Sequence, residues 1–387
     1  MVWRHSLSCS VFGASCRPGW RRQYGEAVRI GLVCPYSLSV PGGVQSQVLG
    51  QARALRALGH HAQVLAPCDD APPEPGVTPL GRSVPVASNG SRAPLAPDPA
   101  CARRTLAALR AEDFDIVHLH EPLCPGPTLV ALVLADGPFV GTFHRAGAST
   151  FYRALRPALR RLSRRLSVRA AVSEDARATA TSAIGGRYEL AFNGIEVERF
   201  AKATPWPSEG PTVMFLGRHE QRKGLGVLLE AMGRLPPDVR LWVAGQGPET
   251  AELRAATAGD RRIEWLGQID DAERAARLRA ADVFCAPSLH GESFGVVLLE
   301  AMAASTAIVA SDLPGYRNVA RSGAEALLVP PGEPAALAAA LARALTDAGL
   351  ADRLVAAGEA RAMELSSERL AERYVELYER VLAARPD

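Results

Sequence analysis

CAPSLHGESFGVVLLEAMAASTAIVASDLPG, residues Cys285 to Gly315, is the stretch whose reading decides the fold. An apolar run from Val283 to Ala286 meets a polar, glycine-bearing turn from Ser288 to Ser293. The apolar segment from Gly295 to Ala303 predicts a helix, and Ala307 to Ala310 predicts a second short strand. In a strand-loop-helix-strand unit the loop lies at the carboxyl end of the first strand. The helix presents unpaired N–H groups and a partial positive charge there, so phosphate is the natural ligand.

Two carboxylates bracket the start of that helix. Glu292 lies in the loop, and Glu300 lies roughly 7 to 8 Å along the axis from Gly295, at about 1.5 Å per residue. Carboxylates repel phosphate and accept hydrogen bonds from hydroxyls. The economical ligand is therefore sugar, diphosphate and ribose in line, with Glu292 on the sugar and Glu300 on the ribose. In the blander alternative, Glu292 sits near the helix dipole and Glu300 is a solvated residue. Against it, Glu300 stands between VVLL and AMAA, where an idle charge is costly to bury.

A length of 387 residues suits two domains, and 48% hydrophobic with 22% charged residues is the composition of a soluble globular protein. A formal charge of +3 is too small to indicate a nucleic-acid partner. The seven cysteines are scattered, odd in number and without metal-ligand spacing, which predicts reduced thiols in a cytosolic protein. The longest membrane-span candidate, Thr128 to Phe143, is broken by Asp136, Gly137 and Pro138. Only two of the 44 basic residues are Lys, Lys202 and Lys223. A compact ammonium and a planar guanidinium are not interchangeable around phosphate, which draws attention to Lys223.

Residues 1–27 have neither helical nor strand period and read as a disordered or mis-started extension. From Val28 the chain alternates. VRIGLVCP is a buried strand, Pro41-Gly42-Gly43 a sharp turn, and Val44, Val48, Leu49, Ala52, Leu55 and Leu58 recur at helical spacing. Gly59 stops that helix and HAQVLAP is the next strand. The glycine pair lets the backbone approach a ligand at a helix start. Then come RSVPVASNGS (82–91), a helix from Pro99 to Ala111, strands FDIVHLH (114–120) and PFVGTFH (138–144), a helix over 151–166, strand VRAAVS, a helix from Glu174 to Ile184 and strand YELAFNG. His120 and His144 end strands, where open α/β sheets bind ligands; the alternative is that each is a satisfied core histidine.

A Pro-rich hinge over 201–211 separates the first domain, 28–200, from a second, 212–365, that repeats the alternation; an amphipathic helix over 366–387 follows. The expected fold is α/β, two Rossmann-like parallel-sheet domains facing each other across a cleft. LGRHEQRKGLG (216–226) puts Arg218 and Lys223 after the second domain's first strand, where they are able to neutralise a diphosphate. The 151–169 stretch carries seven Arg and no acid, with Phe151, Leu155, Leu159, Leu162 and Leu166 on one helical face. That pattern suits an anionic membrane surface, or an ordinary amphipathic helix kinked at Pro157.

GESFGVVLLEAMAAS resembles the E-x7-E signature of retaining glycosyltransferases of the GT-B fold, family 4 type. LGRHEQRKG, AFNGIEVERF and ASDLPG with LLVPPGEPAAL fit the same family over about residues 28 to 382. CPYSLSVPGGVQSQVL, HLHEP and the SNGS turn are similar to its bacterial branch that mannosylates inositol lipids. The resemblance implies donor diphosphate on Gly43, Arg218 and Lys223, the transferred sugar on Glu292 and the Phe294-Gly295 backbone, and ribose on Glu300. It implies His120 beside the reaction centre as a catalytic residue with Glu292, and Tyr36, Gln45 and Asn89 on the acceptor side. It also implies retention without a metal or other cofactor, and a last helix crossing back onto the first domain. Four places depart from the family pattern: Gln47 for a usual His, Phe192 for the Pro of a PNG triplet, Ser305 for a usual Gly, and Arg145 to Ala148 after TFH.

The expected function is transfer of mannose from GDP-mannose to an inositol-containing lipid, by a cytoplasmic chain peripheral to the inner membrane face. The alternatives are a UDP-sugar-dependent transferase acting on a soluble inositol phosphate or glycan, and a non-catalytic sugar-nucleotide-binding protein. A dinucleotide oxidoreductase is disfavoured, since no G-x-G-x-x-G follows Arg29 to Cys34 or Thr212 to Gly217.

Overall fold

The computed structural model describes residues 27–40, 42–88, 91–145, 147 and 155–384. The extension expected over 1–27 thus lies outside the described residues apart from Ala27, as does Asn89. Strands β1 (Arg29–Val33), β2 (His61–Ala66), β3 (Val77–Pro79), β6 (Ile116–His120), β7 (Phe139–Phe143), β8 (Leu166–Ala171) and β9 (Glu189–Leu190) form a parallel sheet in the order β3-β2-β1-β6-β7-β8-β9. Between them β4 (Val84–Ser88) and β5 (Ser91–Leu95) make a separate antiparallel hairpin. The second sheet holds β10 (Thr212–Leu216), β11 (Arg240–Ala244), β12 (Ile263–Gly267), β13 (Val283–Ala286), β14 (Ala307–Ser311) and β15 (Leu327–Val329), in the order β12-β11-β10-β13-β14-β15.

The central strands RIGLV, TVMFL, VFCA and AIVAS are apolar on both faces, as strands covered by helices on both sides must be. Ile30 lies opposite both Ala62 and Ile116, and Val213 opposite both Leu241 and Val283. Each sheet therefore grows in opposite directions from its first strand, with a switch point between β1 and β6 and another between β10 and β13. In doubly wound sheets ligands bind just beyond the carboxyl ends of the strands at these points.

The helix Ser367–Ala383 returns to the first domain. It packs on the helix Gly43–Ala57 and on β8, and its Tyr374, Val375, Leu377 and Tyr378 share one buried cluster with Val48, Leu55 and Val140. The chain crosses between domains at two adjacent places. The Ile195 N–H donates to the Leu365 carbonyl at 3.0 Å, and the Ser367 N–H donates to the Ile195 carbonyl at 2.8 Å. Just after the first crossing the short helix Val197–Ala201 belongs to the second domain, with Phe200 buried in its core against helices Asp271–Ala280 and Val296–Ala303.

The structure corrects several local expectations. The 82–91 stretch is half of a hairpin that leaves the main sheet. The helix expected over 151–166 runs only from Arg156 to Leu162, a 3-10 turn covers Ser163–Arg165, and Leu166 already begins β8; residues 151–154 lie outside the described residues. Proline has no N–H to donate and its ring clashes with the carbonyl four residues back, so Pro157 falls in the first turn instead of the middle. A helix not expected from the sequence, Pro127–Leu134, occupies the stretch weighed as a membrane span. Among the described residues, no helix is long and apolar enough to cross a membrane.

Candidate active site

Four helices that follow strands at the switch points begin after a glycine and without a side-chain cap: Gly43–Ala57 after Gly42, Pro127–Leu134 after Gly126, Leu225–Met232 after Gly224, and Val296–Ala303 after Gly295. None of the four has an acidic residue in its first turn. Elsewhere Asp98, Ser173, Asp270, Asp347 and Ser366 cap their helices by accepting backbone N–H bonds. Helices Arg156–Leu162, Val197–Ala201, Thr250–Ala256, Pro314–Arg317 and Pro334–Thr346 also lack a side-chain cap, so what marks the switch points among the described helices is the glycine at each start, which leaves the N–H groups and the positive end of the dipole approachable.

Gly295 has φ +89, and a Cβ there would lie 2.7 Å from the Tyr316 ring, so glycine is required on both counts. A Cβ on Gly43 would meet nothing within 4 Å, which leaves open space above that helix start. Phe294 is 1% exposed and stacks on Phe192 with ring centroids 5.6 Å apart, so only its backbone is available to a ligand. This also accounts for Phe192 where the family pattern has proline: the ring seats the first crossing against the donor loop.

The structure brings Lys223 and Glu292 together. Lys223 Nζ donates to Glu292 Oε1 at 2.6 Å, Ser288 Oγ donates to the same oxygen at 2.9 Å, and Ser288 in turn meets Tyr316 OH at 3.0 Å. Arg218 is more than half exposed and pairs with Glu220 at 2.9 Å, and Glu220 also holds Arg222. Arg222, not singled out from the sequence, lies 3.8 Å from Glu292. Glu300 is 6% exposed, with Arg274 Nη1 3.4 Å from its Oε1 and no hydrogen-bond partner for Oε2 among the described residues. Burial pushes its carboxyl above the usual range, and Arg274 and Arg199 pull it back.

At the first domain's switch point, His120 Nδ1 lies 3.0 Å from His144 Nε2, while His120 Nε2 has no partner among the described residues. His118 stacks beneath His120 at 4.5 Å and is held by Tyr378 OH and Thr142 Oγ1, each at 2.7 Å. Burial pushes His118 and His144 down to about 3, and burial with its two histidine neighbours holds His120 well below the ordinary value. The three rings are therefore neutral at physiological pH. Glu121, next in the chain, has φ +52, a strained conformation for a residue with a Cβ. It is fixed by its N–H bond to Thr142 O at 2.8 Å and by Oε1 accepting the His144 N–H at 2.6 Å.

Of the residues expected on the acceptor side, Gln45 is buried and donates through Nε2 to the Ser37 and Val40 carbonyls at 3.3 and 3.0 Å, bracing the loop before Gly42. Tyr36 is half-buried and bridges Leu95 of the hairpin. Gln47 replaces a usual histidine with a paired bond to Gly194, donating at 2.8 Å and accepting at 2.9 Å. His118, Tyr374, Tyr378 and Tyr316 were not singled out from the sequence because each acts through partners remote in the chain, and Ser288 was not, although its partner Glu292 lies only four residues on.

Two parallel-sheet domains with uncapped glycine-led helices at facing switch points define the GT-B glycosyltransferase class. Residues 210–347 match the family model described as Glycosyl transferases group 1, and residues 41–199 match Glycosyltransferase Family 4. The chain belongs to this glycosyltransferase family and is an enzyme. It is 42% identical over 92% of its length to phosphatidyl-myo-inositol mannosyltransferase of Mycobacterium tuberculosis, covering 97% of that protein. To the protein of the same name from Mycolicibacterium smegmatis it is 45% identical over 87% of this chain and 89% of that one. Among solved structures, HepE of Anabaena in complex with UDP and glucose has a TM-score of 0.72 at 18% identity, covering 91% of this chain and all of the other. Sucrose-phosphate synthase of Thermosynechococcus elongatus also has a TM-score of 0.72, at 23% identity over 92% of this chain and 100% of that one.

Proposed function

We propose that the enzyme transfers mannose from GDP-mannose, with retention of configuration, to the inositol headgroup of a phosphatidylinositol lipid at the inner membrane face. The observation that carries this reading is the Gly295 helix start, with the Lys223–Glu292 pair on one side and buried Glu300 behind it. Lys223, Arg218 and the helix N–H groups at Gly43 and Gly295 meet the diphosphate charge, Glu292 takes a sugar hydroxyl and Glu300 the ribose. The bond from the anomeric carbon to the diphosphate breaks as the bond to the inositol oxygen forms on the same face, and the inositol proton passes to the departing phosphate. Neutral His120 orients groups at the reacting centre without adding charge. No step is assigned to a metal or other cofactor.

The names of the relatives support the lipid acceptor. A lipid surface is supported by Arg156, Arg160, Arg161 and Arg164, which line a surface hollow of about 470 Å³. Val133 and Leu134 lie exposed at the end of the helix whose last carbonyls Arg165 binds. Purified enzyme is to be given GDP-mannose with phosphatidylinositol vesicles and, separately, UDP-glucose with soluble inositol phosphate. A mannosylated lipid from the first mixture alone is expected, and equal or faster transfer in the second refutes the reading. Flotation is expected to be stronger with anionic than with neutral vesicles, and equal partitioning removes the surface assignment.

A further inference from the structure

A line of alternating charges runs from Glu300 across the hinge. Arg274, beside Glu300, donates through Nη2 to Asp271 Oδ1 at 2.7 Å, and Asp271 pairs with Arg199 through its other oxygen. Arg199 lies 3.8 Å from Glu196, and Arg53 grips both oxygens of Glu196 at 2.7 and 2.6 Å. Arg53 sits on the first domain's Gly43–Ala57 helix, Glu196 at the crossing, and Arg199, on the helix just past it, in the second domain with Asp271, Arg274 and Glu300.

The end of this line is under-satisfied. Glu300 Oε2 and Arg274 Nε are buried with no partner among the described residues. A buried carboxylate stays ionised only if cations face it, and those that do are Arg274 and Arg199, with Asp271 opposing. The adjacent helix Ala348–Glu364 turns its nearby charges elsewhere, Glu359 to Ser305 and Arg361 to the Asn318 and Val319 carbonyls. An ionised carboxylate accepts from two vicinal hydroxyls, which a protonated one does poorly.

We propose that Arg274, held by Asp271 and through it by Arg199 at the hinge, is a positioning residue that keeps Glu300 a two-oxygen acceptor for the vicinal hydroxyls of a nucleotide ribose. Ribose recognition in the second domain is thereby fixed by contacts that reach the first. The inference rests on the reading that Glu300 meets the donor ribose, and the test separates the two. Affinities for GDP and for 2′,3′-dideoxy-GDP are measured calorimetrically on wild type, Arg274→Gln and Arg199→Gln.

Wild type is expected to prefer GDP about 10- to 100-fold, the worth of hydrogen bonds to a charged group. Arg274→Gln is expected to narrow the preference to about threefold or less and Arg199→Gln to an intermediate value, with dideoxy-GDP affinity unchanged in both. That selectivity is what a merely structural role does not produce. No preference in wild type sinks the ribose reading itself. A wild-type preference that both variants keep in full overturns the positioning role and leaves the reading standing. Should Arg274→Gln fail to fold, the partly exposed Arg199 carries the test alone.

Discussion

Replacing Lys223, Glu292 or both by glutamine tests the centre of the site, because the pair has opposite consequences for binding and for transfer. The two charges touch at 2.6 Å with side chains 19% and 11% exposed, between the surface and buried regimes. Exposed pairs are worth about 0.2–1 kcal/mol and truncated buried pairs cost about 3–5, so a coupling of about 1–3 kcal/mol is expected in urea unfolding of the free enzyme. For GDP the single changes should diverge. Lys223→Gln removes a charge-assisted phosphate bond and weakens binding by about 10- to 100-fold. Glu292→Gln frees the ammonium and removes a repelling charge, so it tightens GDP by roughly 2- to 10-fold, on the order of 0.5–1.4 kcal/mol, while abolishing transfer. In the Lys223→Gln background most of that gain should vanish. Calorimetry with GDP on the four proteins and a transfer assay give the comparison. A Glu292→Gln enzyme that binds GDP more weakly, or gains equally with and without Lys223, refutes the shared-ammonium account.

Gly295→Ala is expected to destabilise by about 2–5 kcal/mol from positive φ and overlap with Tyr316, whereas Gly43→Ala, with open space around it, should be neutral or stabilise by up to about 1 kcal/mol in urea unfolding. Equal effects contradict the geometry. His118 is held neutral down to about 3, whereas an unfolded imidazole takes its proton near the usual histidine value of about 6.5. The unfolded state therefore binds the extra proton as pH falls through this window, and stability declines by up to about 1.4 kcal/mol per pH unit for this ring. His118→Gln should flatten the decline between about pH 6.5 and 5 by close to that amount, and an unchanged slope excludes a buried neutral ring.

The alternating sheets and the uncapped glycine starts were legible because both are written in consecutive residues. Val283 to Ala310 spells strand, turn, helix and strand, and by that pattern alone His120 falls at a strand end, Glu292 in a loop after a strand, Gly43 and Gly295 at helix starts and Glu300 one turn into a helix. The Pro127–Leu134 helix escaped notice because PTLVALVL is apolar nearly all round and carries no 3.6-residue period. Ser305 illustrates a departure the sequence registered without its reason. It sits just past the helix Val296–Ala303 at φ +57, a conformation for which glycine is the usual residue, and its hydroxyl bonds Glu359. The Lys223–Glu292 contact, the Tyr378–His118 bond and the charge line to Arg53 join residues 69 and 260 apart in the first two cases, and from opposite domains in the third. No local period encodes such partners.

The returning helix has a consequence for how the molecule is made. Tyr374, Leu377 and Tyr378 belong to the core of the first domain, yet they follow the whole second domain in the chain. On the ribosome the leading half emerges with an open groove over Val48, Leu55 and Val140, while the trailing half has everything it needs to condense once its own strands are out. The domain born first is completed last, and a nascent chain stalled before residue 367 presents that groove to chaperones instead of a finished protein.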